Sequence, residues 1–193
     1  HRGYFNVTRA INTDSTDVEQ FNRAEDTCEH QVFEIMRFLR KYCPGFEHCT
    51  LGQLMPYLGI RESRRIVGLK TLTSDILQTL PIPEDTVALS GYNVDIHGQT
   101  SGIMTMYPVA HAVGIPYGCL VPEKTEGLII AGRPISVDQT IFGMTRVMST
   151  CMAVGEAAGT AAAMALDAKV PLAALDVPAL RTQLKKQHAI LEY

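Results

Sequence analysis

The sequence lacks the features by which several classes of protein are recognised. Its 193 residues contain no run of lysine and arginine, and 17 basic against 20 acidic side chains give a net charge of −3. A chain with this balance offers little to a phosphate backbone, which argues against a dedicated nucleic-acid-binding protein. No apolar run approaches the roughly 18 residues that cross a bilayer, so no membrane segment is predicted.

Cysteine is scarce and lacks the spacing of a disulfide framework or a metal knuckle. The five cysteines are odd in number and include no Cys-x-x-Cys pair, so we expect a reducing compartment and a cytoplasmic location. Cys28, His30, Cys43, His48 and Cys49 fall within one stretch. Without a knuckle motif, however, this stretch predicts no metal site.

The dinucleotide-binding fingerprint Gly-x-Gly-x-x-Gly is also absent. No two of the 15 glycines are separated by a single residue, so this phosphate-binding turn does not occur in the chain. The first residue is His1 and not Met, and no signal segment follows it. We therefore expect the chain to be a piece of a longer protein.

Hydrophobic periodicity in the remaining sequence predicts an α/β fold. Residues 4–9 alternate as in a strand, and a capping box from Thr16 to Glu19 predicts the start of a helix that Pro44 and Gly45 end. The other predicted elements of the first two thirds are strands over 65–72 and 86–96, a short helix over 73–79, a polar turn over 99–102 and an extended segment over 104–121.

The last third of the chain is richer in glycine and alanine. Residues 128–131, Leu-Ile-Ile-Ala between glycines, are typical of a strand buried on both faces of a parallel sheet. A long helix is predicted over 145–166, and a terminal amphipathic helix begins at residues 176–178.

A strand, a glycine-arginine loop and a helix in this order predict an anion site. Ligands of open α/β sheets bind beyond the carboxyl ends of the strands, where helix N-termini present free N–H groups. Gly132 permits close backbone approach there, and Arg133 and Arg146 supply positive charge. From spacing alone, surface ion pairs made by the same two arginines are an equal alternative.

Two further groups of residues are candidates for chemistry. Arg61 and Arg64 are either a clamp for an anionic substrate or members of an internal ion-pair cluster around Glu62. His97 closes a predicted strand and is either a general acid/base, oriented by Asp95 or a backbone group, or a structural histidine.

Three segments of the last third resemble the closing flavin motif of the FAD-dependent oxidoreductase family. They are residues 127–133 (Gly-Leu-Ile-Ile-Ala-Gly-Arg), 143–148 (Gly-Met-Thr-Arg-Val-Met) and 151–163. That family is often grouped with glutathione-reductase-type flavoproteins, and some of its members are labelled putative xanthan lyases. Earlier matches in the family's order are residues 6–9, 38–47, 59–68, 95–97 and 115–122.

The resemblance implies the C-terminal part of a two-domain flavoprotein. Residues 1–126 are then part of a mixed-sheet substrate domain, and residues 127–193 are the last strand and helix of a Rossmann-like FAD domain. The family's N-terminal dinucleotide-binding portion is missing from the chain. The implied cofactor is FAD, with hydride transfer between flavin N5 and a small-molecule substrate.

The resemblance also implies roles for particular residues. Gly132 and Arg133 are expected near the ribityl chain and the pyrophosphate. A helix that starts within residues 143–146 (Gly143, Met144, Thr145 and Arg146) is expected to face the pyrimidine end of the flavin ring.

The isolated chain is expected to be inactive, to bind FAD weakly and to self-associate through an exposed sheet edge. The alternatives are a non-catalytic binding or interaction fragment and a metal-assisted hydrolase.

Overall fold

The computed structural model describes residues 2–79, 82–97 and 104–193, with the backbone alone at positions 97 and 104. The chain divides into two compact units, the described residues up to Ser63 and those from Arg64 onward. This division does not say which residues bind a cofactor, so the boundary at residue 126 stays a prediction. The polar turn predicted over 99–102 lies outside the described residues.

The first unit is built on one long helix, α1 (Val18–Tyr42). The predicted helix is confirmed, but its N-cap is Asp17 and not Thr16. The Asp17 carboxylate accepts the N–H groups of Glu19 and Gln20 at 2.9 and 3.1 Å. A carboxylate is favoured here because it both accepts these hydrogen bonds and complements the helix dipole.

Residues 4–9 do not form the predicted strand. The described residues of the first unit include no strand with which they could pair. Instead, the Arg9 N–H donates to Oε1 of Gln31 at 2.7 Å, and Nε2 of Gln31 donates to the Arg9 carbonyl at 2.9 Å. A side-chain amide on α1 thus satisfies backbone groups that a neighbouring strand would otherwise bind.

The second unit contains two small antiparallel sheets. After the single turn α2 (Ile76–Thr79), β1 (Thr86–Ser90) pairs with β4 (Val113–Pro116), and β2 (Val94–His97) pairs with β3 (Met104–Tyr107). The single strand predicted over 86–96 is therefore wrong, because β1 and β2 belong to different sheets.

Residues 66–72 run extended between two other segments without forming the regular strand that the sequence predicts. Backbone hydrogen bonds join them to residues 118–123 on one side and 134–138 on the other. A Cβ at Gly68 would lie 2.6 Å from the Gly118 carbonyl oxygen, so the close approach of these segments requires glycine.

Residues 128–131 are not the predicted strand of a parallel sheet. They are exposed or half-buried, and Ile130 makes one backbone bond, to the Leu120 carbonyl at 2.8 Å. Gly127 and Gly132 have φ of +67° and +81° and turn the chain at either end of this segment. The α/β character therefore takes the form of helices with small antiparallel sheets.

The single helix predicted over 145–166 is two helices. They are α3 (Gln139–Thr145) and α4 (Met148–Ala168), and Arg146 and Val147 separate them. The remaining elements are 3₁₀ turns at Tyr117–Cys119 and Leu172–Ala174, and α5 (Val177–Lys186), whose N-cap Asp176 agrees with the predicted start.

The core of the second unit lies among β1, β4, α3, α4 and α5. Its fully buried side chains include Ile115, Leu120, Ile141 and Leu180. Over the described ranges, no helix combines the length and hydropathy needed to cross a membrane.

Candidate functional site

Gly132 and Arg133 form a turn beside the first turn of α4. A φ of +81° at Gly132 is a conformation that costs residues with a Cβ roughly 1–2 kcal/mol. A Cβ there would lie 4.0 Å from Sγ of Cys151, so the turn adjoins α4. Burial raises the pKa of Cys151, and the nearby charge of the exposed Arg133 partly offsets that rise.

The N-terminus of α4 has no side-chain cap. Its N-cap residue is Val147, which adopts an extended backbone and whose side chain offers no acceptor to the N–H groups of the first turn. These donors and the helix dipole of a 21-residue helix favour an anion at this end. The turn at Gly132 and Arg133 therefore lies beside a helix terminus suited to negative charge.

The residues that the sequence predicts at the start of the long helix lie at the end of α3 instead. Met144 and Thr145 are the last residues of α3 and are buried, with 0% and 3% of their surfaces exposed. Oγ1 of Thr145 donates to the Ile141 carbonyl at 3.0 Å. The helix α4 thus begins after Val147, because the turn at residues 146–147 interrupts the single helix that the sequence predicts.

Gly143 and Arg146 both contact β2. A Cβ at Gly143 would lie 2.9 Å from the carbonyl oxygen of Asp95, so glycine allows α3 to pack directly on the backbone of that strand. Nη2 of Arg146 donates to Oδ2 of Asp95 at 2.7 Å and to the Asp95 carbonyl at 3.2 Å. The arginine that the sequence assigns to the cofactor is therefore held by a carboxylate.

Two buried hydroxyls tie α3 and α4 to the end of β1. Oγ1 of Thr150 donates to Oγ of Ser90 at 3.1 Å, and Ser90 donates to the Met144 carbonyl at 2.8 Å. Sequence reasoning missed this chain of bonds, since its members are up to 60 residues apart. It fixes the first turn of α4 without occupying that turn's N–H groups.

The structure describes the predicted catalytic residues to different extents. Arg61 and Arg64 are both exposed and belong to different units. The backbone of His97 ends β2, and its side chain lies outside what the structure describes. The neighbouring Arg65 is half-buried and stacks its guanidinium over the Phe142 ring at 5.1 Å from the centroid.

Neither of two described cavities, one in each unit, is lined by Gly132 or Arg133. One, of about 600 Å³, is lined by residues 9–13 and α1, and the other, of about 280 Å³, is lined by α2 and residues 107–113. No three His, Cys, Asp or Glu side chains within the described ranges are grouped as ligands for a metal ion. The first two residues of α4, Met148 and Ser149, are exposed.

The chain matches the model of one protein family. The model of the family "FAD dependent oxidoreductase" matches residues 2–184. No curated protein and no solved structure matches the chain. The match covers nearly the whole chain, including the Gly132 turn and α4. The chain belongs to the FAD-dependent oxidoreductases, and its cofactor is FAD.

Proposed function

We propose that the second unit supplies one wall of the FAD site of an enzyme that transfers hydride between flavin N5 and a small organic substrate. The observation that carries the proposal is the N-terminus of α4, which has no side-chain cap and adjoins the turn at Gly132 and Arg133. The family supplies the cofactor and the redox activity. The hydride step, the substrate and the residue roles are proposed.

The residues of this wall fit an anionic cofactor. The first-turn N–H groups of α4 bind and stabilise negative charge at the pyrimidine end of the flavin ring. Arg133, which is exposed, pairs with the pyrophosphate, and Gly132 lets the backbone approach the ribityl chain. When bound, FAD supplies N5 as the donor or acceptor of hydride.

The proposed roles of the other candidates concern the substrate. His97 holds or accepts the substrate proton that balances hydride transfer, as a general acid/base. Arg61 and Arg64 orient an anionic group of the substrate. In this proposal residues 1–126 serve the substrate and residues 127–193 serve FAD.

Substitutions in the turn test the FAD assignment in the natural protein. Arg133→Ala and Gly132→Val are expected to lower the bound FAD per protein at least tenfold, because one removes a charge and the other strains a turn. Gly127→Val is the matched control, since Gly127 also has a positive φ, +67°, and nothing within 4 Å of an added Cβ.

Bound flavin is measured from its visible absorbance after gel filtration, and folding from circular dichroism. Full flavin content in both folded turn variants contradicts the assignment. Equal loss in Gly127→Val would assign the effect to general backbone strain and would also contradict it.

A further inference from the structure

The Asp95 side chain lies where β2 meets the C-terminal end of α3. Its carboxylate and its backbone carbonyl both accept from Nη2 of Arg146. Both side chains are largely withdrawn from water, with exposed fractions of 10% for Asp95 and 13% for Arg146. Water and salt screen an ion pair in such a place much less than they screen a surface pair.

Packing imposes the geometry of this ion pair. Gly143 brings α3 against the β2 backbone at Asp95, where an added Cβ would come within 2.9 Å of the carbonyl oxygen. Arg146 caps the C-terminal end of α3 and directly precedes Val147, the N-cap of α4. The guanidinium is thus held by a carboxylate, and the backbone of the same arginine directly precedes the helix terminus proposed to receive the cofactor.

We propose that Asp95 is a positioning residue of the FAD site. It holds the Arg146 guanidinium against β2 and balances part of its charge, and so sets how much positive charge acts at the N-terminus of α4. The proposal rests on the proposed function, in which this terminus receives the pyrimidine end of the flavin. It assigns to Asp95 an effect on the relative binding of reduced and oxidised FAD.

The sign of the effect separates this role from a merely structural one. Asp95→Asn leaves the Arg146 cation unbalanced, which favours the more negative, reduced flavin and raises the midpoint potential. Arg146→Met leaves the carboxylate unbalanced and lowers the potential. The double variant removes both charges and is expected to return close to the wild-type potential. Structural damage does not account for shifts of the midpoint potential that are opposite in the two single variants and cancel in the double variant.

The experiment compares these variants of the natural protein with bound FAD. Each single variant is expected to change the ratio of affinities for reduced and oxidised FAD about tenfold, which is about 30 mV for a two-electron couple. FAD affinity is measured by fluorescence titration and the potential by equilibration with redox dyes. Asp85→Asn is the control, because it breaks another ion pair of the same unit, between Asp85 and Lys70 at 2.7 Å, whose two residues lie outside α3 and α4.

Each outcome decides the proposal. Shifts of the same sign in the two single variants, or wild-type potentials in both, overturn it while leaving FAD binding intact. A wild-type protein that binds no FAD overturns the proposed function and, with it, this inference. If Asp95→Asn does not fold, Arg146→Lys takes its place: it retains the charge and is expected to restore most of the potential lost in Arg146→Met, and failure to do so overturns the proposal.

Discussion

The two long helices of the chain begin in opposite ways. At the start of α1 the Asp17 carboxylate accepts two first-turn N–H groups, and every partner lies within three residues. At the start of α4 the N-cap is Val147, without a side-chain acceptor. The position of α4 is set instead by buried contacts between residues that are 51 to 60 positions apart.

In the proposed function, this difference separates a structural helix terminus from one that binds the cofactor. A local cap stabilises a helix by occupying its free donors, so a capped terminus such as that of α1 has fewer of them to offer. A terminus held by tertiary packing keeps its donors, at the cost of depending on distant residues. The packing around Ser90, Asp95 and Gly143 is therefore the structural condition for an anion site at α4.

The largest expected effect comes from breaking that packing. Gly143→Ala places a Cβ 2.9 Å from the Asp95 carbonyl oxygen and 3.2 Å from its backbone nitrogen, and neither backbone atom can move as a flexible side chain would. We expect a loss of about 2–3 kcal/mol in the free energy of unfolding of the natural protein. Urea denaturation measures it.

Gly52→Ala is the control for this substitution. An added Cβ at Gly52 meets nothing within 4 Å, so its expected effect is within about 0.5 kcal/mol of zero. A stability of Gly143→Ala equal to that of the control would mean that α3 does not depend on close contact with β2.

The same comparison explains what the sequence could predict. The α1 helix follows from local signals, periodicity and an acidic or hydroxyl cap, and its predicted start was one or two residues early. The break between α3 and α4 is invisible locally, because Arg146 turns toward Asp95, 51 residues away. The motif placed the start of a helix on Met144 and Thr145, which are instead buried residues at the end of α3.

Strands were predicted less well than helices, because strand formation also depends on partners that are distant in the sequence. The apolar run at residues 128–131 has the composition of a buried strand, but a strand also requires partners on both sides. The glycines that bound it turn the chain away, and residues 66–72 take the central place between two segments instead. Composition predicted neither the pairing of this run nor its burial, since Leu128 and Ala131 are exposed.

A local cap introduced at the start of α4 tests the comparison of the two helix termini, and its expected effect is of intermediate size. Val147→Asp is expected to stabilise the protein without FAD by about 1 kcal/mol, because its carboxylate accepts first-turn N–H groups. The same carboxylate occupies the donors and repels an anion, so FAD affinity is expected to fall at least tenfold. Thermal unfolding and fluorescence titration of the apoprotein measure the two effects.

Val147→Asn separates the two causes of that loss. Asparagine caps about as well as aspartate but carries no charge, so its FAD affinity is expected to lie between those of wild type and Val147→Asp. Unchanged FAD affinity in both variants would show that the donors of α4 do not bind the cofactor.

The smallest expected effect is at the start of α1 and depends on pH. The backbone N–H of Gln20, its side-chain amide and the N–H of Glu19 donate to Asp17 and hold the pKa of its carboxyl below the ordinary 3.8. Because the folded-state pKa is lowered, the charged cap stabilises the folded state above pH 3.8, and this contribution is lost as the pH falls through the lowered value.

Asp17→Asn caps without titrating, so the stability difference between wild type and this variant should shrink between pH 5 and about pH 3. Amide hydrogen exchange over the first turn of α1 measures it, with Asp26→Asn on the same helix as control. A difference that does not change with pH would mean that the negative charge of Asp17 adds nothing to the cap, and the two helix termini would then differ in hydrogen bonding alone.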